Sequence, residues 1–186
     1  EVASLGVQIH GGMGFIEETG AAQHLRDARI AAIYEGTNGI QAIDLVTRKL
    51  PLSGGDAVQA LIAEMRDIVA EVERANTPGF GHAAARLRAA VDSLERATEW
   101  MLAALGSRTA DVLAGATPYL KLFALAQGGT GLAKKALATR SEAEGTGDLA
   151  TARFYAECIV TEAPALELAV TEGAGAIADA AVVFAA

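Results

Sequence analysis

From residue 58 to residue 72 the apolar side chains recur at helical spacing without a break: Val58, Leu61, Ile62, Met65, Ile68, Val69 and Val72. Positions three and four apart share one helix face, so this run predicts a helix with a continuous buried stripe. Glu64, Arg66, Asp67, Glu71 and Glu73 fall on the opposite, solvated face. The pattern returns in Leu87, Val91, Leu94, Met101 and Leu105, then in Leu113, Leu120, Phe123 and Leu132, and again from Tyr155, Cys158 and Ile159. No segment alternates apolar and polar residues as a half-buried strand must. A chain of this kind can bury its stripes only by packing helix on helix.

The punctuation is equally clear. Pro78, Gly79 and Gly81 mark a turn over residues 76–81, and Gly106 with Ser107 marks another break. Pro118 should bend the following helix or mark its true start. Residues 141–148 read as a polar, glycine-containing loop, and Pro164 separates a last helix ending near Phe184. Four or five long helices with short connections make an antiparallel bundle the expected architecture, within an all-α fold class.

Composition agrees and narrows the function. The 186 residues are 52% hydrophobic, rich in alanine and poor in aromatics. Alanine and leucine are strong helix formers. A net charge of −8 argues against a nucleic-acid surface, which needs clustered Lys and Arg. No membrane span is expected, because charges such as Glu167 and Asp179 interrupt the apolar stretches. The single cysteine, Cys158, cannot form an intrachain disulfide, which fits a reducing, cytoplasmic compartment. It lies in a helical stripe and reads as a buried small hydrophobe.

Residues 1–50 differ from the rest in carrying short motifs, and Leu50-Pro51-Leu52-Ser53-Gly54-Gly55 separates the two parts. The expected domains are therefore 1–50 and 51–186. Val2, Leu5 and Ile9 share one helical face, so the chain reads as starting inside a helix, as though an upstream part had been cut away. A helix should end near His10, a short one should cover about Ala21 to Ile30, and a third should start near Thr37. The Thr37 hydroxyl is a good N-cap. Ile40, Ile43, Val46 and Leu50 then form its stripe.

Two segments could carry chemistry. In Gln8-Ile9-His10-Gly11-Gly12-Met13-Gly14-Phe15, the glycines would let a phosphate or ribose approach the backbone, and Gln8 adds an amide. Taken alone, it reads better as a helix C-cap and loop. In Tyr34-Glu35-Gly36-Thr37-Asn38-Gly39, a carboxylate ahead of a helix N-terminus would ordinarily complement the helix dipole. The flanking glycines would also leave room for a flat ligand beside a desolvated, more basic carboxylate.

Together these two segments, with Leu25-Arg26-Asp27-Ala28-Arg29-Ile30 between them, resemble the last helices of the acyl-CoA dehydrogenase family in order and spacing. The resemblance implies that Glu35, in Tyr-Glu-Gly-Thr, is the catalytic base of an α,β-dehydrogenation. It would take the α-proton of an acyl-CoA thioester while the β-hydrogen leaves as hydride to flavin N5. It also implies FAD contacts at Gln8, Gly11, Gly12, Thr37 and Gly39, with Gly36 keeping the backbone slim beside the substrate. Many family members carry Gln at the Gly39 position, so a side-chain contact there is missing. An electron-transfer flavoprotein-like acceptor and a homo-oligomer are implied in the same way. No metal site is expected, since His24 and His82 lack ligand partners at sensible spacing.

Residues 51–186 are similar to an extra helical domain found in a longer subset of that family, including enzymes acting on 3-methylmercaptopropionyl-CoA. Arg48-Lys49-Leu50-Pro51 and the helical layout carry that likeness. Such a domain suits a scaffolding role. The chain alone, holding only part of a flavin site, is expected to be inactive. Two other readings stand beside this one: a non-enzymatic helical oligomerisation or binding module, and a flavoprotein relative turned to stress protection. An ion pair supporting local structure is the expected role of Arg26 and Asp27. Gly128-Gly129-Thr130-Gly131 has no preceding strand and reads as close helix packing.

Overall fold

The computed structural model describes residues 1–75, 77–139 and 142–184, and no strand occurs among them. The chain divides into two compact units, Glu1–Gln41 and Ala42–Ala186.

The first unit holds α1 (Val2–Ile9), α2 (Gly12–Phe15) and α3 (Ala21–Ile30), with a 3₁₀ turn at Glu17–Thr19. Two left-handed glycines, Gly11 (φ 59°) and Gly20 (φ 79°), let the chain reverse between these short helices. The Thr19 hydroxyl bonds the carbonyls of Met13 and Ile16 at 2.6 and 3.1 Å, closing the loop before α3. Gly14 alone is buried among this unit's residues. The stripe of α1 lies open in this chain, with Val2 85% and Ile9 84% exposed.

The division falls within α4 (Asn38–Asp44), ahead of the expected Leu50-Pro51 junction. The reason is burial: Ala42, Val46 and Leu50 belong to the core of the second unit. Ile40 and Ile43, expected on the same stripe, are 57% and 40% exposed. A π-turn at Leu45–Lys49, closed by Leu50 N–H to the Leu45 carbonyl at 2.8 Å, changes the helical phase and puts residues four apart on the inner face.

The rest of the second unit is a helical bundle. Its long members are α5 (Asp56–Ala75), α6 (Ala83–Ala104) and, after the short α7 (Thr109–Ala114), α8 (Ala116–Ala138). They are followed by α9 (Glu142–Phe154), α10 (Ala163–Glu172) and α11 (Ala174–Phe184). Helix α6 packs against α5, α8 and α10, and α8 packs against α5, α9 and α10. The predicted stripes supply the core: Val58, Ile62, Met65, Ile68, Val69 and Val72 from α5, and Leu87, Val91, Leu94 and Met101 from α6. Each such side chain, once buried, contributes roughly 1.5–3 kcal/mol. Gly115 ends α7, and Pro118 lies in the first turn of α8, where its missing N–H costs no helix bond. Val112 is buried and Leu113 is 40% exposed, so the inner face of α7 is one residue from the expected one.

Two further expectations are corrected. The stretch expected as a loop over 141–148 is helical from Glu142, Ser141 itself lying outside the described residues. The Asp148 carboxylate accepts from Lys135 Nζ at 2.8 Å and Thr139 Oγ1 at 2.7 Å, which ties this glycine-containing helix to the end of α8. Cys158 is exposed. It lies in a second π-turn, Tyr155–Ile159, and Ala152, Ala156 and Val160 form the buried row instead. Gly128 and Gly129 are packing glycines, as expected: a Cβ there would stand 2.8 Å from Tyr155 Oη and 3.1 Å from Val160 Cγ2, respectively.

Candidate functional site

Every candidate site residue lies in the first unit. Gln8 lies in the last turn of α1, and Gly11 and Gly12 open α2 just beyond it. Glu35, Gly36, Thr37 and Gly39 lie together on the turn that opens α4. No hydrogen bond joins these two groups among the described residues. A cleft of about 590 Å³ lies between α1, α3 and the start of α4, lined by Ser4, Leu25, Arg29 and Asn38, but none of the seven candidates lines it.

The glycines divide by what holds them. Gly11 needs its positive φ. Gly14 needs its missing side chain, since a Cβ would stand 2.9 Å from His10 Cβ and closer still to the Val7 carbonyl oxygen. Gly12 has neither constraint: its φ is ordinary and a Cβ would meet nothing within 4 Å. At Gly39 a Cβ would touch only Thr37 Oγ1, at 4.0 Å. The exposed Gln8 amide has no hydrogen-bond partner among the described residues, whereas His10 Nδ1 is tied back to the Gly6 carbonyl at 2.8 Å.

Glu35 has φ 57°, in the left-handed region that a residue with a Cβ occupies at a cost of roughly 1–2 kcal/mol. Gly36 follows at φ 94°. Two bonds close this turn: Asn38 N–H to the Ala32 carbonyl at 3.3 Å, and Gln41 Nε2 to the Glu35 carbonyl at 2.7 Å. Thr37 holds the capping position, but through its backbone: its carbonyl accepts from Gln41 N–H at 3.0 Å, and its hydroxyl makes no capping bond among the described residues. The Glu35 carboxylate is exposed and makes no ion pair or hydrogen bond among the described residues. Among the described residues of the first unit, none closes a crevice around it.

Arg26 and Asp27 do not pair with each other. Both bond Gln23, which donates to Asp27 Oδ1 at 2.6 Å and accepts from Arg26 Nη2 at 2.7 Å, and Arg26 reaches Glu17 at 3.4 Å. Their contacts are local, with Gln23 as the shared partner. Gln41 escaped sequence reasoning because a glutamine inside a helix carries no signal that its amide turns back to a loop carbonyl six residues earlier.

Residues 61–181 match the family described as acetyl-CoA dehydrogenase C-terminal like, and residues 1–50 match the acyl-CoA dehydrogenase C-terminal domain. The chain belongs to the acyl-CoA dehydrogenase family. It is 41% identical over 182 residues to 3-methylmercaptopropionyl-CoA dehydrogenase of Ruegeria pomeroyi, covering 92% of this chain and 30% of that relative. A butyryl-CoA dehydrogenase of Syntrophomonas wolfei is 39% identical over 74 residues, covering 40% of this chain and 12% of its own length. The human mitochondrial short-chain specific acyl-CoA dehydrogenase is 57% identical over 37 residues, covering 20% of this chain and 9% of its own length. The chain therefore spans under a third of the acyl-CoA dehydrogenase it matches over most of its residues.

Proposed function

We propose that this chain is the carboxy-terminal part of a flavin-dependent acyl-CoA dehydrogenase, with Glu35 as its catalytic base. The observation that supports this most is the turn around Glu35. A non-glycine residue is held in a left-handed conformation directly ahead of a helix, and its carboxylate is committed to no partner among the described residues. Strain of this kind concentrates at functional sites. Relatives named for acyl-CoA thioesters support an acyl-CoA substrate.

In the assembled enzyme, the Glu35 carboxylate removes the α-proton of the thioester and is left as the neutral acid. Gly36, lacking a side chain, keeps the backbone low beside the acyl chain. Gly12 and Gly39 leave open the space a Cβ would fill, which suits a flat dinucleotide lying against the backbone. Gly11 supplies the reversal that presents Gly12, and the free Gln8 amide and Thr37 hydroxyl supply hydrogen bonds to FAD. When bound, FAD supplies the hydride acceptor. An electron-transfer flavoprotein-like protein would be the electron acceptor, and the enzyme would work as a homo-oligomer. Residues 51–186 form an appended helical domain that serves assembly. The chain by itself holds too little of the flavin site to be active.

Anaerobic addition of butyryl-CoA or 3-methylmercaptopropionyl-CoA to the full-length protein tests this reading. A yellow protein whose flavin bleaches as enoyl-CoA forms is the expected result. A colourless protein, or a yellow one that no saturated acyl-CoA bleaches, would overturn it.

A further inference from the structure

We infer that Gln41 is a positioning residue for Glu35, an inference that rests on Glu35 being the base. Glu35 and Gly36 are consecutive left-handed residues, φ 57° and 94°. The Glu35 carbonyl lies ahead of α4, so no helix bond satisfies it. Gln41 satisfies it instead, with Nε2 at 2.7 Å. The same amide nitrogen lies 3.5 Å from the point where a Cβ on Gly36 would stand, so it sits directly against the turn. Gln41 is anchored at its other end, because its backbone N–H bonds the Thr37 carbonyl at 3.0 Å in the first turn of α4. One residue thus links the rigid helix to the strained peptide that carries the carboxylate.

The consequence is geometric. The direction of the Glu35 side chain is set by its backbone dihedrals. Without the donor, the peptide can relax towards negative φ, which swings the carboxylate away from where it is held. Gln41 reaches a backbone atom of the base, so its loss should slow proton removal without weakening thioester binding.

The test uses the full-length flavoprotein with Gln41→Met, which keeps the size and removes the donor, and Gln41→Ala as a second variant. Flavin bleaching is followed anaerobically against acyl-CoA concentration. Both variants should bleach roughly tenfold or more slowly at saturation, with the half-saturating concentration changed by less than about twofold. Flavin content and melting temperature should match the native protein. Bleaching by Gln41→Met within about twofold of native would overturn the inference, as would a slowing that merely tracks lost flavin. Glu35→Gln, run in parallel, separates the two readings. If it is silent while Gln41→Met is native-like, the positioning role alone fails. If it bleaches at the native rate, the base reading fails and this inference falls with it.

Discussion

A Cβ on Gly14 would press into the Val7 carbonyl oxygen and His10, whereas a Cβ on Gly12 would point into open space. Two glycines with a single residue between them therefore answer to different demands. Gly14→Ala must push α2 away from α1 and should destabilise the protein by about 1–3 kcal/mol, as overpacking does. Gly12→Ala should leave stability nearly unchanged while lowering the flavin retained on purification. Melting curves and flavin-to-protein ratios of the two full-length variants check this. Equal flavin retention in Gly12→Ala and native protein would remove Gly12 from the FAD cradle. The sequence revealed that this segment is glycine-rich, but not which glycine serves the fold, because that depends on how closely two helices approach.

At the scale of elements, α6 and α8 share a buried polar contact. Thr98 Oγ1 donates to the Leu94 carbonyl at 2.7 Å and accepts from Tyr119 Oη at 2.7 Å. Burial pushes the Tyr119 hydroxyl up to about 12, so it stays a neutral donor at any ordinary pH. The pair makes an ordered prediction for chemical denaturation. Thr98→Val strands the buried tyrosine hydroxyl and should cost about 1–3 kcal/mol, and Tyr119→Phe leaves Thr98 bonded to its own helix and should cost nearer 1 kcal/mol. The reverse order would show that the hydroxyl finds another partner. The stripes of α5 and α6 were legible because three- and four-residue spacing survives in unbroken helices. The faces of α4 and of residues 152–160 were misread because a π-turn directly after the first and another within the second reset the phase, and no residue type announces a π-turn. Helix α9 was missed because its glycines outweighed a tie made by Asp148 to Lys135 and Thr139, at the end of the preceding helix, which sequence spacing does not reveal.

Over the whole molecule, two units differ in what they bury. Residues from Ala42 onward share one core of helix stripes, drawn together by ion pairs such as Arg96 with Glu167, whose Nε–Oε1 and Nη2–Oε2 bonds are 2.6 and 2.7 Å and hold that carboxyl below its usual range. The Glu1–Gln41 unit buries only Gly14 and leaves Ile9, Phe15 and Ile33 exposed in this chain. The first unit carries the candidate chemistry and the second carries the stability. The candidate residues were singled out by their order and spacing, while the strain at Glu35 and its tie to Gln41 became visible only in three dimensions. The central claim, that Glu35 is the base, is tested most directly by anaerobic acyl-CoA titration of the full-length Glu35→Gln protein, followed by the flavin's visible absorbance. The account predicts that the variant stays yellow and is not bleached, while the native protein is. Bleaching of Glu35→Gln at the native rate would contradict it.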